Sequence, residues 1–154
     1  MSIAATVQTR LSEAGVEYEI IEHPRTSNST HTAEAAHVPG ASLAKSVVLE
    51  DGEKYLLAVV PATHSVDLGA LHRRFGHVIG LASEEQIGRL FADCEPGAVP
   101  PFGQVYGIET ILDEAFVDAE DVYFEGGDHR ALVHVTGPQF QRLMENVPHG
   151  QFST

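Results

Sequence analysis

Leu43-Ala-Lys-Ser-Val-Val-Leu-Glu-Asp-Gly-Glu-Lys-Tyr-Leu-Leu-Ala-Val-Val60 carries the pattern on which the fold turns. Two apolar, strand-like runs, Ala44 to Glu50 and Lys54 to Val60, flank Asp51-Gly52. Asp-Gly between such runs signals a tight hairpin, because glycine accepts the positive φ that the turn demands. The two strands are expected at the centre of a sheet.

Working outward toward the start, Thr32 can cap a short helix over Ala33 to His37, which Pro39-Gly40 ends, and Arg25 to Thr30 reads as a polar loop. Val16 to Glu22 is rich in β-branched and aromatic residues and closes at His23-Pro24, as a strand does. Ile3, Val7, Leu11 and Ala14 recur at helical spacing between a cap at Ser2 and a stop at Gly15. In the other direction, Asp67 caps a helix through Phe75 that Gly76 ends, and a short strand follows near Val78 to Leu81. Ser83-Glu-Glu-Gln86 matches a capping box. Ala92 to Gly103 holds three prolines and two glycines, so it reads as a stiff, irregular loop. Strands are expected near Tyr106 to Leu112, Val122 to Phe124 and Ala131 to Val135, the last two joined by a Gly126-Gly127 turn. A final helix starts at Pro138 under a Thr136 cap, and the tail after Val147 is expected to be mobile. Strands mixed with helices, without a regular βαβ rhythm, point to an α+β domain with a mixed sheet spanning residues 1–154 as one unit.

Composition narrows the function classes. At 154 residues and 43% hydrophobic, the chain can bury one sizeable core. Met1 to Arg10 has neither a basic start nor a continuous apolar stretch, and no run approaches a membrane span, so a soluble, cytoplasmic protein is expected. Nine Lys and Arg against twenty-two Asp and Glu give a net charge of −13, which argues against broad contact with DNA or other phosphate backbones. A nucleic acid would have to be gripped locally, with Arg25, Lys45, Arg73 and Arg74 as the available cations. The one cysteine, Cys94, sits between Asp93 and Glu95, which raise a thiol pKa and suit a nucleophile poorly. The nine histidines follow no HExxH or paired helical spacing, and no cofactor fingerprint is present, so neither metal nor cofactor is expected.

Three features invite chemistry. Lys45 interrupts an apolar strand, and alternation puts it on one face with Val47 and Leu49; either its ammonium enters a cleft, or its head reaches solvent from the strand's start. Pro96 to Gly103 pairs Pro100-Pro101 with glycines at 97 and 103, which suits either fixed amides for an anion or a rigid connector. Gly126-Gly-Asp-His129 places Asp128 beside His129, either with the imidazole as a general base or hydrogen-bond donor, or as a plain surface turn. Ile20, Thr30, Val47 and Phe102 are candidate walls of a pocket.

Ala33-Glu-Ala-Ala36 after a Thr-rich loop, Leu43-Ala-Lys45 leading into a strand, and Gly97-Ala-Val-Pro-Pro-Phe-Gly103 together resemble the YbaK / prolyl-tRNA-synthetase-associated editing domains over nearly the whole chain. That resemblance implies a compact fold with a barrel-like mixed sheet flanked by helices. It implies a free-standing hydrolase of mischarged aminoacyl-tRNA, meeting the tRNA acceptor end, with a synthetase or elongation factor as a further partner. Lys45, Gly97 and His129 would be catalytic; Ser46, Thr30, Ile20, Pro101, Phe102, Gly103 and Asp128 would bind substrate. Ser46 departs from relatives with asparagine or threonine there. The alternatives are a binding module of the same fold that has lost catalysis, and a hydrolase of small esters or amides.

Overall fold

The computed structural model describes residues 3–26 and 28–154. The chain runs through α1 (Ala5–Ala14), β1 (Glu19–Glu22), α2 (Ser29–Ala36), β2 (Leu43–Asp51), β3 (Lys54–Pro61), α3 (Leu68–Phe75), β4 (Gly80–Leu81), α4 (Glu84–Leu90), β5 (Glu109–Asp113), β6 (Asp121–Glu125), β7 (Ala131–Thr136), α5 (Gly137–Leu143) and β8 (His149–Gly150). It is an α+β domain built on one mixed sheet.

The hairpin forms where Asp-Gly stands. Asp51 pairs with Lys54 across the turn, Lys45 lies opposite Val60, and Gly52 takes a φ of +65°, which a side chain would resist. Helix ends also follow local chemistry. The Asp67 carboxylate accepts from the Ala70 N–H, and Ser83 with Gln86 and Thr136 with Gln139 form reciprocal capping boxes. Gly15 closes α1 in the left-handed conformation; the Ser2 cap lies outside the described residues.

Two expectations are corrected. α2 starts earlier than expected: Asn28 caps it by accepting from the His31 N–H, while Thr32 is buried inside the helix and bonds Thr26. Asn28 competes as a cap as well as threonine does. The tail after Val147 is tied in rather than loose. β8 pairs with β5, Phe152 is buried, and residues 152–154 run beside 65–67 through backbone bonds such as Ser65 N–H to the Thr154 carbonyl at 2.9 Å. Phe152 gives that segment an apolar reason to dock. The Ser153 hydroxyl adds bonds to Asp113 at 2.7 Å and to His64 at 2.9 Å.

The strand order is β1-β7-β6-β2-β3-β5-β8, with β4 pairing β2 off that path. β2 with β6, β3 with β5, and β5 with β8 are parallel; the other pairs are antiparallel. The larger core packs α1, α5 and the 98–102 segment on one side of the sheet, around Leu11, Phe91, Phe102, Phe124 and Phe140. A second core joins α3 to the other side through Leu49, Leu56, Leu71 and Phe152.

One irregularity in this sheet positions everything that follows. β3 accompanies β2 along its length, but on the opposite edge β6 reaches only Leu43 and Ala44, and β4 only Leu49 and Glu50. Lys45 to Val48 therefore face a gap between two short neighbours.

Candidate active site

The gap is the floor of a cleft of about 520 Å³. Lys45, Ser46, Val47 and Val48 all line it, since a strand without a neighbour exposes its edge as well as its faces. Asn28, Thr30 and His31 at the start of α2 form one wall. Ala62 lines it beside Leu43 at one end of the gap, Leu81, Ala82 and Ile87 line it near Val48 at the other, and Pro96 and Gly97 complete the lining. Such a mixture of apolar wall and few polar groups is what small-ligand clefts present.

Lys45 is half-buried, and burial lowers its ammonium below the ordinary lysine value. Its Nζ donates to the His64 carbonyl at 2.7 Å. One bond out of three donors leaves the head able to meet an incoming oxygen. Beside it, the Ser46 Oγ is buried and has no hydrogen-bond partner among the described residues.

The apolar loop divides between the cleft and the core. Gly97 is exposed on the cleft, and among the described residues no hydrogen bond is donated by its N–H. From Ala98 to Gly103 the segment is buried, because Ala-Val-Pro-Pro-Phe has more to gain from the core than from water. Pro101, Phe102 and Gly103 are thus corrected from cleft residues to core residues. Phe102 meets the Phe124 ring edge-on, centroids 5.1 Å apart, and a Cβ at Gly103 would lie 2.8 Å from the Ile108 carbonyl. Ile20 is corrected too. It sits 42% exposed on β1, at the far end of the sheet with β7 and β6 between it and β2.

His129 is 7% exposed and lies behind Gly97 rather than in the cleft. A Cβ on Gly97 would come within 2.8 Å of the His129 Cε1, so only glycine lets the backbone rest on this ring. Burial lowers the His129 pKa, against the pull of Glu95. Its Nδ1 stands 3.8 Å from Glu125, too far for a hydrogen bond, and both the Nδ1 and the Glu125 Oε1 are buried without partners. Burial, then Asp128 and Glu95, push the Glu125 carboxyl up to about 8. Asp128 accepts from the N–H groups of Arg130 and Ala131 at 2.9 and 3.0 Å, a turn that launches β7 rather than a cleft contact.

Sequence reasoning missed Asn28, His31, Ala62, Ala82 and Ile87. Asn28 carried a usable signal, an Asn three residues before a helical His, whereas the others enter the cleft only through tertiary packing. Of the remaining candidates, Arg25 pairs with Glu95 through both guanidinium nitrogens, and burial pushes the Cys94 thiol up to about 12.

The model of the aminoacyl-tRNA editing domain matches residues 23–143, which include the whole cleft. This chain belongs to the aminoacyl-tRNA editing domain family. No curated protein matches it. Among solved structures, the editing domain is similar to one described as a candidate trans-editing enzyme for prolyl tRNA synthetase, at 25% identity and a TM-score of 0.82, covering 97% of this chain and 95% of the other. It also resembles a hypothetical protein at 17% identity, with a TM-score of 0.85 over 97% and 99% of the two chains. A scaffold used for computational epitope backbone grafting matches at 24% identity and a TM-score of 0.83 over 98% and 97%. The editing-domain match and these likenesses agree on a YbaK-like fold.

Proposed function

We propose that this editing domain is a free-standing aminoacyl-tRNA deacylase, which hydrolyses the ester of mischarged tRNA with Lys45 as its essential residue. The observation that carries this reading is an open cleft whose lining holds both a half-buried, singly bonded ammonium and the exposed Gly97. The likeness to a candidate trans-editing enzyme for prolyl tRNA synthetase supports the reading.

In this mechanism a water attacks the ester carbonyl, and the oxygen that gains charge is held by the Gly97 N–H. One such donor is typically worth ~3 kcal/mol of barrier. Lys45 places the carbonyl or the terminal phosphate. The neighbouring ribose hydroxyl of the substrate can orient the water, so no protein nucleophile is needed, and the thiol of Cys94, protonated at neutral pH, plays no part.

Deacylation over a panel of mischarged tRNAs tests the reading. Lys45→Ala is expected to lose activity by about a hundredfold or more, with an unchanged melting temperature. Full activity in that variant would remove Lys45 from the mechanism. Turnover of free amino-acid esters with no charged tRNA cleaved would reassign the protein as a small-ester hydrolase.

A further inference from the structure

Lys45 owes the place of its ammonium to a single acceptor, the His64 carbonyl at 2.7 Å. A lysine head rides on a flexible four-carbon stem, so whatever fixes that carbonyl fixes where the charge stands. The carbonyl belongs to the peptide unit joining His64 to Ser65, and the N–H of the same unit donates to the Thr154 carbonyl at 2.9 Å. A trans peptide is planar with its C=O and N–H opposed, so a bond at one end sets the direction of the other. The unit is thus clamped between Thr154 and Lys45. Polarisation along such a chain also strengthens the carbonyl as an acceptor.

A second tie reaches His64 through its side chain. The Ser153 hydroxyl donates to Asp113 at 2.7 Å, which leaves its oxygen to accept from the His64 Nδ1–H at 2.9 Å. Asp113 is 4% exposed and is itself held, accepting from the N–H groups of Ala115 at 2.9 Å and Phe152 at 3.3 Å. Burial of Phe152 accounts for docking this segment, but not for a polar chain from a buried carboxylate to His64, which costs desolvation. We infer that residues 152–154 form a positioning element for Lys45: Ser153 and Asp113 hold the His64 ring, and Thr154 holds the peptide whose carbonyl places the ammonium. This deepens the deacylase reading and rests on it for the step that Lys45 serves. Neither His64, Asp113, Ser153 nor Thr154 lines the cleft, so their influence on a bound substrate passes through Lys45.

The test compares the wild type with Ser153→Ala, Ser153→Thr, His64→Ala and the Ser153→Ala, His64→Ala pair, each studied well below its melting temperature. Two readouts are taken: deacylation kinetics, and the NMR side-chain signals of lysine-labelled protein. Lys54, exposed at the hairpin turn, is the other lysine of the chain and serves as the internal control. Ser153→Ala and His64→Ala are each expected to shift the Lys45 signals, leave those of Lys54 in place, and lower kcat about tenfold with KM within about twofold. Ser153→Thr, which keeps the hydroxyl, is expected to stay within about threefold of wild type. The pair is expected to fall no more than about twofold below either single variant, because the two residues act as one chain. Unmoved Lys45 signals, a wild-type kcat in Ser153→Ala, or losses that multiply in the pair would each overturn the inference and leave the segment a structural tie. Lys45 signals that shift as expected, in a protein whose wild type cleaves no mischarged tRNA, would refute the deacylase reading and leave the positioning in place.

Discussion

Glu125 is the residue whose titration the structure makes most consequential. It sits 5% exposed at the end of β6, one carboxyl oxygen unpartnered, behind the His129 ring that supports Gly97. Its folded pKa of about 8 lies above the ordinary carboxyl value, so the folded chain holds this proton more tightly than the unfolded chain. The stability it contributes is fully present below the unfolded pKa of about 4.3 and is lost as pH rises through about 8. The contribution of Glu125 to the melting temperature is accordingly expected to fall between about pH 4 and pH 8 and to level off above, and Glu125→Gln, which cannot ionise, to flatten that slope. Parallel slopes in a thermal melt series would show that Glu125 is already ionised in the fold. Nothing in the sequence announced this residue, since Val-Tyr-Phe-Glu reads as an ordinary strand end. Its pKa is a product of burial, which only tertiary packing creates. Lys45 was the opposite case: a charge inside an apolar run is visible in one dimension because its neighbours dictate the burial.

At the scale of elements, what was legible was chemistry local in sequence. Asp51-Gly52, the Ser83 capping box and the Thr136 cap each complete their bonds within a few residues, so their outcome does not wait for the rest of the fold. The start of α2 was misjudged because Asn28 and Thr32 are both competent caps, and burial of Thr32 decided between them. Asn28 holds the wall of the cleft through that bond: its Oδ1 accepts from the His31 N–H at 2.9 Å, and its amide meets the His31 ring at 3.1 Å. Asn28→Ala is expected to destabilise the protein by about 1 kcal/mol in urea denaturation, whereas Asn28→Asp, which keeps the acceptor, should cost a few tenths at most. A neutral Asn28→Ala would mean that α2 is held by its packing alone. The bare edge of β2 lay beyond sequence reading altogether. It arises from where β4 and β6 stop pairing with β2, which no residue of β2 itself announces.

Charge belongs to the whole molecule, and here it restricts how a tRNA can be held. Nine Lys and Arg oppose twenty-two Asp and Glu, and several of the nine are already engaged. Arg25 is paired with Glu95, Arg89 lies 3.6 Å from Glu85, Arg10 donates to the Leu143 carbonyl at 2.7 Å, and Arg74 donates to the His149 carbonyl at 3.1 Å. The excess of acidic residues disfavours an extended basic track along a tRNA, so affinity is expected to come chiefly from the aminoacyl end and from Lys45. Each phosphate neutralised on a single strand contributes about 0.7 to the slope of log K against log salt. Contact limited to the acceptor end, with one or two phosphates met, gives a slope of about −0.7 to −1.4 between about 50 and about 200 mM salt. Fluorescence anisotropy with a nonhydrolysable aminoacyl-tRNA reads this directly. A slope steeper than about −5 would mean about seven phosphates met and would overturn contact confined to the acceptor end.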